Sequence, residues 1–205
     1  MGKINITDIS IESIKNGKFQ NELSEFYELQ KNFENNAWHH ETTFEHVLLV
    51  LDEYEKLLKK QPINFLNVKL GDNLKVDLLR IAILLHDISK NDTIQIADDK
   101  TTSFPNHEEL GALKALKILN KFELSKIEID YIVSIIGNHR KPHEIMGDRK
   151  NCDQAFNDLK TEIPDTYNET LLLTMVDTMG SKLKQSNEEE YNFRINKYKN
   201  LLKLI

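Results

Sequence analysis

The ionisable residues that stand out in this chain are those that end or interrupt apolar runs. His86 and Asp87 close Ile81-Ala82-Ile83-Leu84-Leu85. Asp177 follows Leu171-Leu172-Leu173-Thr174-Met175-Val176, and His139 follows Ile132-Val133-Ser134-Ile135-Ile136-Gly137-Asn138. His46 lies inside Phe44-Glu45-His46-Val47-Leu48. Burying a lone charge costs several kcal/mol unless it is paired or bound to a metal. Any one of these positions alone reads as a hydrogen-bonded core histidine or a helix cap. Together, if the segments converge, they offer neutral imidazole nitrogens and carboxylate oxygens. A borderline-to-hard divalent cation takes that mixture.

The segments that must bring them together read as helices. Gly is 7 and Pro 4 in 205 residues, so breakers are few. Residues 19–35 suggest a helix with Phe19, Leu23, Phe26, Tyr27 and Phe33 on its apolar side. Residues 42–60 repeat Phe44, Val47, Leu48, Leu51, Tyr54 and Leu58 at helical spacing, with Thr42 or Thr43 as N-cap. Residues 62–73 form a loop that turns at Gly71-Asp72-Asn73. Residues 74–88 and 166–183 are apolar on all sides in part, the mark of a helix buried all round. Helices are also expected over 106–121, with Asn106 as N-cap, and over 125–138, opened by a Ser125/Glu128 capping box. A small hairpin is expected over 93–104. Pro142 stops the helix before it, and 143–165 read as irregular apart from a short helix at 154–161. Residues 187–204 form a charged amphipathic helix. The expected fold is all-α: one helical domain over 1–205, with the motif-bearing part at 36–183.

Composition narrows the classes. A net charge of −6 makes a poor non-specific nucleic-acid binder, since such binding rests on Lys and Arg neutralising phosphates. The single Cys152 excludes an internal disulfide framework and suits a reducing, cytoplasmic setting. The first residues lack the apolar stretch of a signal peptide, and no run approaches the ~18 apolar residues of a membrane span.

The order His46, His86-Asp87, His107, His139, Asp177 resembles the HD superfamily of metal-dependent phosphohydrolases, named for its adjacent His-Asp pair. Trp38-His39-His40-Glu41 through Leu51 looks like the start of the HD domain attached to bacterial tRNA nucleotidyltransferases. Leu84-Leu85-His86-Asp87-Ile88-Ser89-Lys90, Asn106-His107-Glu108-Glu109-Leu110-Gly111-Ala112 and Asn138-His139-Arg140-Lys141-Pro142 follow the same pattern. No segment matches the Gly-Gly and paired-carboxylate signature of the nucleotidyltransferase part, so nucleotide addition is not implied.

The resemblance implies an HD-type helical bundle and a phosphomonoesterase or phosphodiesterase acting on a nucleotide or related phosphoester by attack of a metal-bound hydroxide. By it, His46, His86, Asp87 and Asp177 hold a first ion. Neighbours on a helix point about 100° apart, so His86 and Asp87 can share an ion only near a helix end; the polar Ser89-Lys90-Asn91-Asp92 agrees with one. His107 and His139 hold a second ion or contact substrate phosphate, and Lys90 and Arg140 face that phosphate. Asp87 or Glu108 orients the attacking water if only one ion binds. The cofactor is one or two divalent ions per chain, drawn from Mn, Fe, Ni, Co, Mg or Zn. The partner is a small phosphorylated substrate of nucleotide type; the oligomeric state is left open. His39, His40 and His143 read as supporting or structural, Trp38 as packing, and Lys182, Lys184, Arg194, Lys197 and Lys199 as a solvated helix face. The competing class is a non-catalytic module of the same fold that binds nucleotide or RNA, or dimerises.

Overall fold

The structure is a computed structural model that describes residues 2–204. It begins with a 3-10 turn (Ile6–Asp8), α1 (Ile11–Lys15) and α2 (Ser24–Tyr27), which runs into a second 3-10 turn at Glu28–Lys31. Then come α3 (Thr43–Lys60), β1 (Lys69–Leu70), β2 (Asn73–Leu74), α4 (Lys75–Leu85) and α5 (Lys90–Thr93). The strands β3 (Gln95–Ile96) and β4 (Thr102–Ser103) precede α6 (His107–Leu119), α7 (Lys126–Asn138), α8 (Lys141–Gly147) and α9 (Cys152–Glu162). The chain closes with α10 (Tyr167–Gly180), α11 (Leu183–Ser186) and α12 (Glu188–Leu202). Each strand pair is a two-residue antiparallel ladder, so the architecture is a mostly helical bundle, as the sequence predicts.

The two runs that are apolar all round lie at the centre. In α4, Leu78, Leu79, Ile81, Ala82, Ile83, Leu84 and Leu85 are all buried, and the helix packs against α3, α7 and α10. In α10, Leu171, Leu172, Leu173, Met175 and Val176 are buried between α3 on one side and α12 on the other. The amphipathic α3 turns Val47, Val50, Leu51, Tyr54 and Leu57 inward and starts at the capping box between Thr42 and Glu45. Its Val50 meets α10 at Gly180, where a Cβ would stand 2.9 Å from Val50 Cγ2 and 3.0 Å from its backbone nitrogen. Gly here permits the closest approach of the two helices. The Ser125/Glu128 capping box opens α7 as expected. Its Glu128 carboxylate also accepts from the backbone N–H groups of Asp72 and Asn73, tying the β1–β2 turn to the bundle.

Several expectations need correction or refinement. Residues 19–35 do not form one helix. Asn32, Phe33 and Glu34 instead pair with Glu41–Thr43: Glu34 N–H donates to Glu41 O and Thr43 N–H to Asn32 O. The side chain of Asn36 accepts from the backbone of Trp38 and His39, and such local side-chain bonding competes with helix. Phe33, expected on the apolar face, is consequently 47% exposed. Asn106 occupies the N-cap position of α6 as expected, but its backbone is left-handed at φ 57° and its side chain makes no capping bond. The helix α7 does end before Pro142, at Asn138, but helical structure resumes at once, and Pro142 occupies the first turn of α8, where its missing N–H costs nothing. Residues 143–165 are accordingly largely helical, in α8 and α9. No described helix is long and apolar enough to cross a membrane.

Candidate metal centre

Helix ends deliver the polar groups. His46 sits in the first turn of α3. The helix α4 ends at Leu85, so His86 and Asp87 lie in the turn that follows, where their side chains are no longer held to helical spacing. His107 is the first residue of α6 and His139 the C-cap of α7. Asp177 lies in the last turn of α10. These side chains come together although His46 and Asp177 lie 131 positions apart in the sequence.

They fall into two groups that share Asp87. On one side, Asp87 Oδ2 is 3.1 Å from His86 Nε2 and 3.7 Å from His46 Nε2. Asp177 Oδ1 is 2.9 Å from the same nitrogen of His46 and 4.0 Å from that of His86. On the other side, Asp87 Oδ1 is 3.4 Å from His107 Nε2 and 3.9 Å from His139 Nε2, and those two nitrogens are 3.3 Å apart. Ligand atoms each ~2.0–2.2 Å from one ion stand roughly 3 Å or a little more from one another. The observed separations have that size. His46, His86 and Asp87 on one side, and Asp87, His107 and His139 on the other, are compact enough to hold an ion.

Hydrogen bonding supports the same reading. His86, His107 and His139 each place Nδ1 2.7–2.8 Å from the carbonyl of the residue three before, Ile83, Phe104 and Ile136 respectively. A carbonyl only accepts, so each Nδ1 carries the proton and donates. That leaves the Nε2 lone pairs facing Asp87, the tautomer a metal requires. His46 Nε2, His86 Nε2 and Asp87 Oδ1 are buried and in no aligned hydrogen bond, despite the short distances. A buried polar atom without a partner costs about 1–3 kcal/mol, and several at one point would be hard to sustain without a cation to share. The residues therefore fit a divalent ion.

Charge is arranged to the same end. Burial alone would push the His86 imidazole down, but the carboxylates of Asp87 and Asp177 raise it to about 9. Burial opposes ionisation of Asp87, and His86, Lys90 and His107 overcome it, holding the carboxyl far below its usual range. Burial and the neighbouring rings of His107 and His86 lower His139 to about 3.

A cleft of about 500 Å³ opens onto the centre. Asp87, His107, His139 and Asp177 form part of its wall, with Lys90, Arg140 and Arg194 beside them. Lys90 is only 5% exposed, so it is no solvated surface cation. Its Nζ is 2.9 Å from Asp87 Oδ2 and 2.9 Å from Glu34 Oε2. Glu34 is itself fully buried and accepts from the Thr43 hydroxyl at 2.7 Å. Arg140 stays at the mouth, partly exposed, near Glu108 at 3.6 Å and Glu144 at 3.1 Å. Glu108 turns towards His107 Nδ1, at 3.1 Å, and Arg140, so it stands beside the second group.

Further side chains surround these groups: His143, read as supporting or structural, and Trp38, read as packing, take those places, whereas Arg194 was misread and Glu34 drew no reading. His143 Nε2 is 2.9 Å from Asp177 Oδ2, so the oxygen of Asp177 turned away from His46 is held by an imidazole. Arg194, expected on a solvated face, is 6% exposed. It donates to Glu190 Oε1 at 2.6 Å and to the His143 carbonyl at 3.2 Å, with its guanidinium 4.9 Å from the Trp38 ring. Trp38 packs edge-on to His143 and also lines the cleft. Glu34 lies in a polar stretch that gives no signal. His39 Nδ1 donates to Glu41 Oε1 at 3.0 Å, and that oxygen is 3.9 Å from His46 Nδ1, so the pair buttresses His46. His40 contacts Asn35 at 3.2 Å, outside the centre.

Compared with known families, the sequence matches the one described as HD domain, over residues 43–190. That span contains His46, the His86-Asp87 pair, His107, His139 and Asp177, and it covers most of the chain. The chain belongs to the HD domain family.

Proposed function

We propose that this protein is a divalent-metal-dependent phosphohydrolase acting on a phosphomonoester or phosphodiester of a nucleotide or an RNA end. The observation that carries the reading is the division of the Asp87 carboxylate between two groups of histidine nitrogens. His46, His86, Asp87 and Asp177 would hold a first ion; Asp87, His107 and His139 would hold a second or meet the substrate phosphate. A divalent ion supplies a Lewis acid for a phosphoryl oxygen and lowers the pKa of a bound water towards 7.

The remaining work falls to the chain's own groups. Lys90, wedged between Glu34 and Asp87, keeps Asp87 ionised and aimed, and adds positive charge to the cleft wall. Arg140 is held loosely by two carboxylates, so its planar fork is free to turn onto a substrate phosphate. His143 donates to Asp177 and so fixes which oxygen that carboxylate offers to the centre. Fixed donors and cations of this kind favour charge that builds on the equatorial oxygens during phosphoryl transfer.

The substrate class rests on the cleft and on sequence likeness. A volume of about 500 Å³ lies in the usual range for small-molecule sites. The segments at 84–90, 106–112 and 138–142 resemble the HD domain of bacterial tRNA nucleotidyltransferases, which favours a nucleotide or RNA-end phosphate. The test is hydrolysis of a chromogenic phosphodiester and a nucleotide panel with Mn²⁺, Ni²⁺, Co²⁺ or Mg²⁺, with and without chelator. Turnover that needs the metal and drops at least ~100-fold in His86→Ala supports the reading. Undiminished turnover in that variant, or none with any metal and substrate, contradicts it.

A further inference from the structure

The outer face of α6 is unusual for a surface helix. Leu110, Leu113 and Leu116 are 44%, 59% and 41% exposed. Single exposed leucines are ordinary, but three in one row, flanked by charge, mark a contact surface. At 100° per residue, Glu109, Leu110, Leu113, Leu116 and Lys117 lie within an arc of roughly 120° on one side of the helix. Glu109 and Lys117 are exposed and form no ion pair among the described residues. Their neighbour Lys114 is already paired, with Asp92 at 2.6 Å.

The pattern is symmetric about Leu113. Leu110 and Leu116 stand three residues either side of it; Glu109 and Lys117 stand four either side, with opposite charge. We propose that this face binds a second copy of the same chain, the two α6 helices running antiparallel about a two-fold axis near Leu113. Reversal sets the acidic end of each stripe beside the basic end of the other, and Leu113 against its own equivalent. A two-fold interface must be self-complementary in this way. Antiparallel helices also set opposite dipole ends side by side. A parallel pairing would put like charges together, so the stripe selects the direction as well as the partner. The leucine row is only ~9 Å long at 1.5 Å per residue, so the interface belongs to the small class.

Sedimentation equilibrium of the full chain from ~1 to ~300 µM tests the proposal. The expected result is a reversible monomer–dimer equilibrium, with unchanged far-ultraviolet circular dichroism in every variant because the altered side chains are exposed. Leu113→Asp weakens the dimer at least ~100-fold by setting two carboxylates in the apolar row. Glu109→Lys weakens it roughly tenfold, and the double variant Glu109→Lys/Lys117→Glu restores it because the stripe remains complementary with its charges exchanged. A chain that is monomeric throughout, a dimer that Leu113→Asp leaves intact, or a double variant no tighter than the single one would each overturn the proposal.

Discussion

At Asp87 a single carboxylate answers to five neighbours: His46, His86 and Lys90 at one oxygen, His107 and His139 at the other. No hydrophobic or purely structural role needs that many basic groups around one buried acid. In the metal-free protein part of the balance falls on protons. His86 has an ordinary value of 6.5 and is raised to about 9 in the fold. Its proton therefore binds the folded state more tightly than the unfolded one. The stability this contributes is fully present below 6.5 and is lost as pH rises through about 9. His139 works in the opposite direction: its value is lowered from 6.5 to about 3, so protonation favours the unfolded chain as pH falls below 6.5. Chelator-treated protein should thus lose stability on both sides of about 6.5, measured as the urea midpoint. With saturating Mn²⁺ the alkaline loss should disappear, because a metal binds the deprotonated rings. A midpoint equally flat from pH 6.5 to 9 with and without metal would contradict this assignment. His143 offers a second test at this scale. Removing a hydrogen-bond donor to a metal-ligating carboxylate typically costs 10–100-fold in metal affinity. His143→Ala should show such a loss by calorimetric titration, and His143→Gln, which keeps a donor, a smaller one. Equal affinities in both variants and the parent would remove His143 from the account.

Among the elements, those whose partners lie within their own sequence were the legible ones. The central helices α4 and α10 announce themselves by runs with no polar face, and α3 by its stripe and capping box. The end of α4 was readable too, because an adjacent His-Asp pair serving one ion demands it, and the chain leaves helical form at Leu85. The β3–β4 hairpin also appears where β-prone residues flank Asp98-Asp99-Lys100. What failed depends on distant pairing. Residues 32–36 carry a helix-compatible pattern, yet their backbone bonds go to 39–43, and that switch is what buries Glu34 beside Lys90. The helix α8 was hidden because Pro142 reads as a stop unless one knows that a new helix begins there. Without α8, His143 could be read as supporting or structural but not tied to Asp177, and the burial of Arg194 was missed. The α3–α10 contact yields the prediction of this scale. A methyl group at position 180 would stand 2.9 Å from Val50 Cγ2 and 3.0 Å from Val50 N, closer than side chains tolerate. Gly180→Ala should destabilise the fold by about 1–3 kcal/mol through overpacking. It should also weaken metal binding, since His46 rides on α3 and Asp177 on α10. A variant with parental stability in urea and parental metal affinity would show that the two helices do not set that spacing.

For the whole molecule, the arrangement is a division of labour between middle and end. Helix middles make an apolar core from α3, α4, α7 and α10, which fixes the axes of the bundle. Helix ends then bring six polar side chains to one place: the first turns of α3 and α6, the last turns of α7 and α10, and the turn after α4. A site assembled this way needs no long loops, and its precision comes from the packing of the core. The order of motifs along the chain was enough to name the six residues. The resemblance also implied their division into a first set, His46, His86, Asp87 and Asp177, and a second, His107 and His139; which Asp87 oxygen faces which ring was beyond sequence. The most direct test of the account is metal content per chain in the purified protein and in Asp87→Ala, with saturating Mn²⁺ added and unbound ion removed. The account predicts bound metal in the parent and its loss in Asp87→Ala, because both groups lose their shared carboxylate. Equal metal content in parent and variant would contradict it.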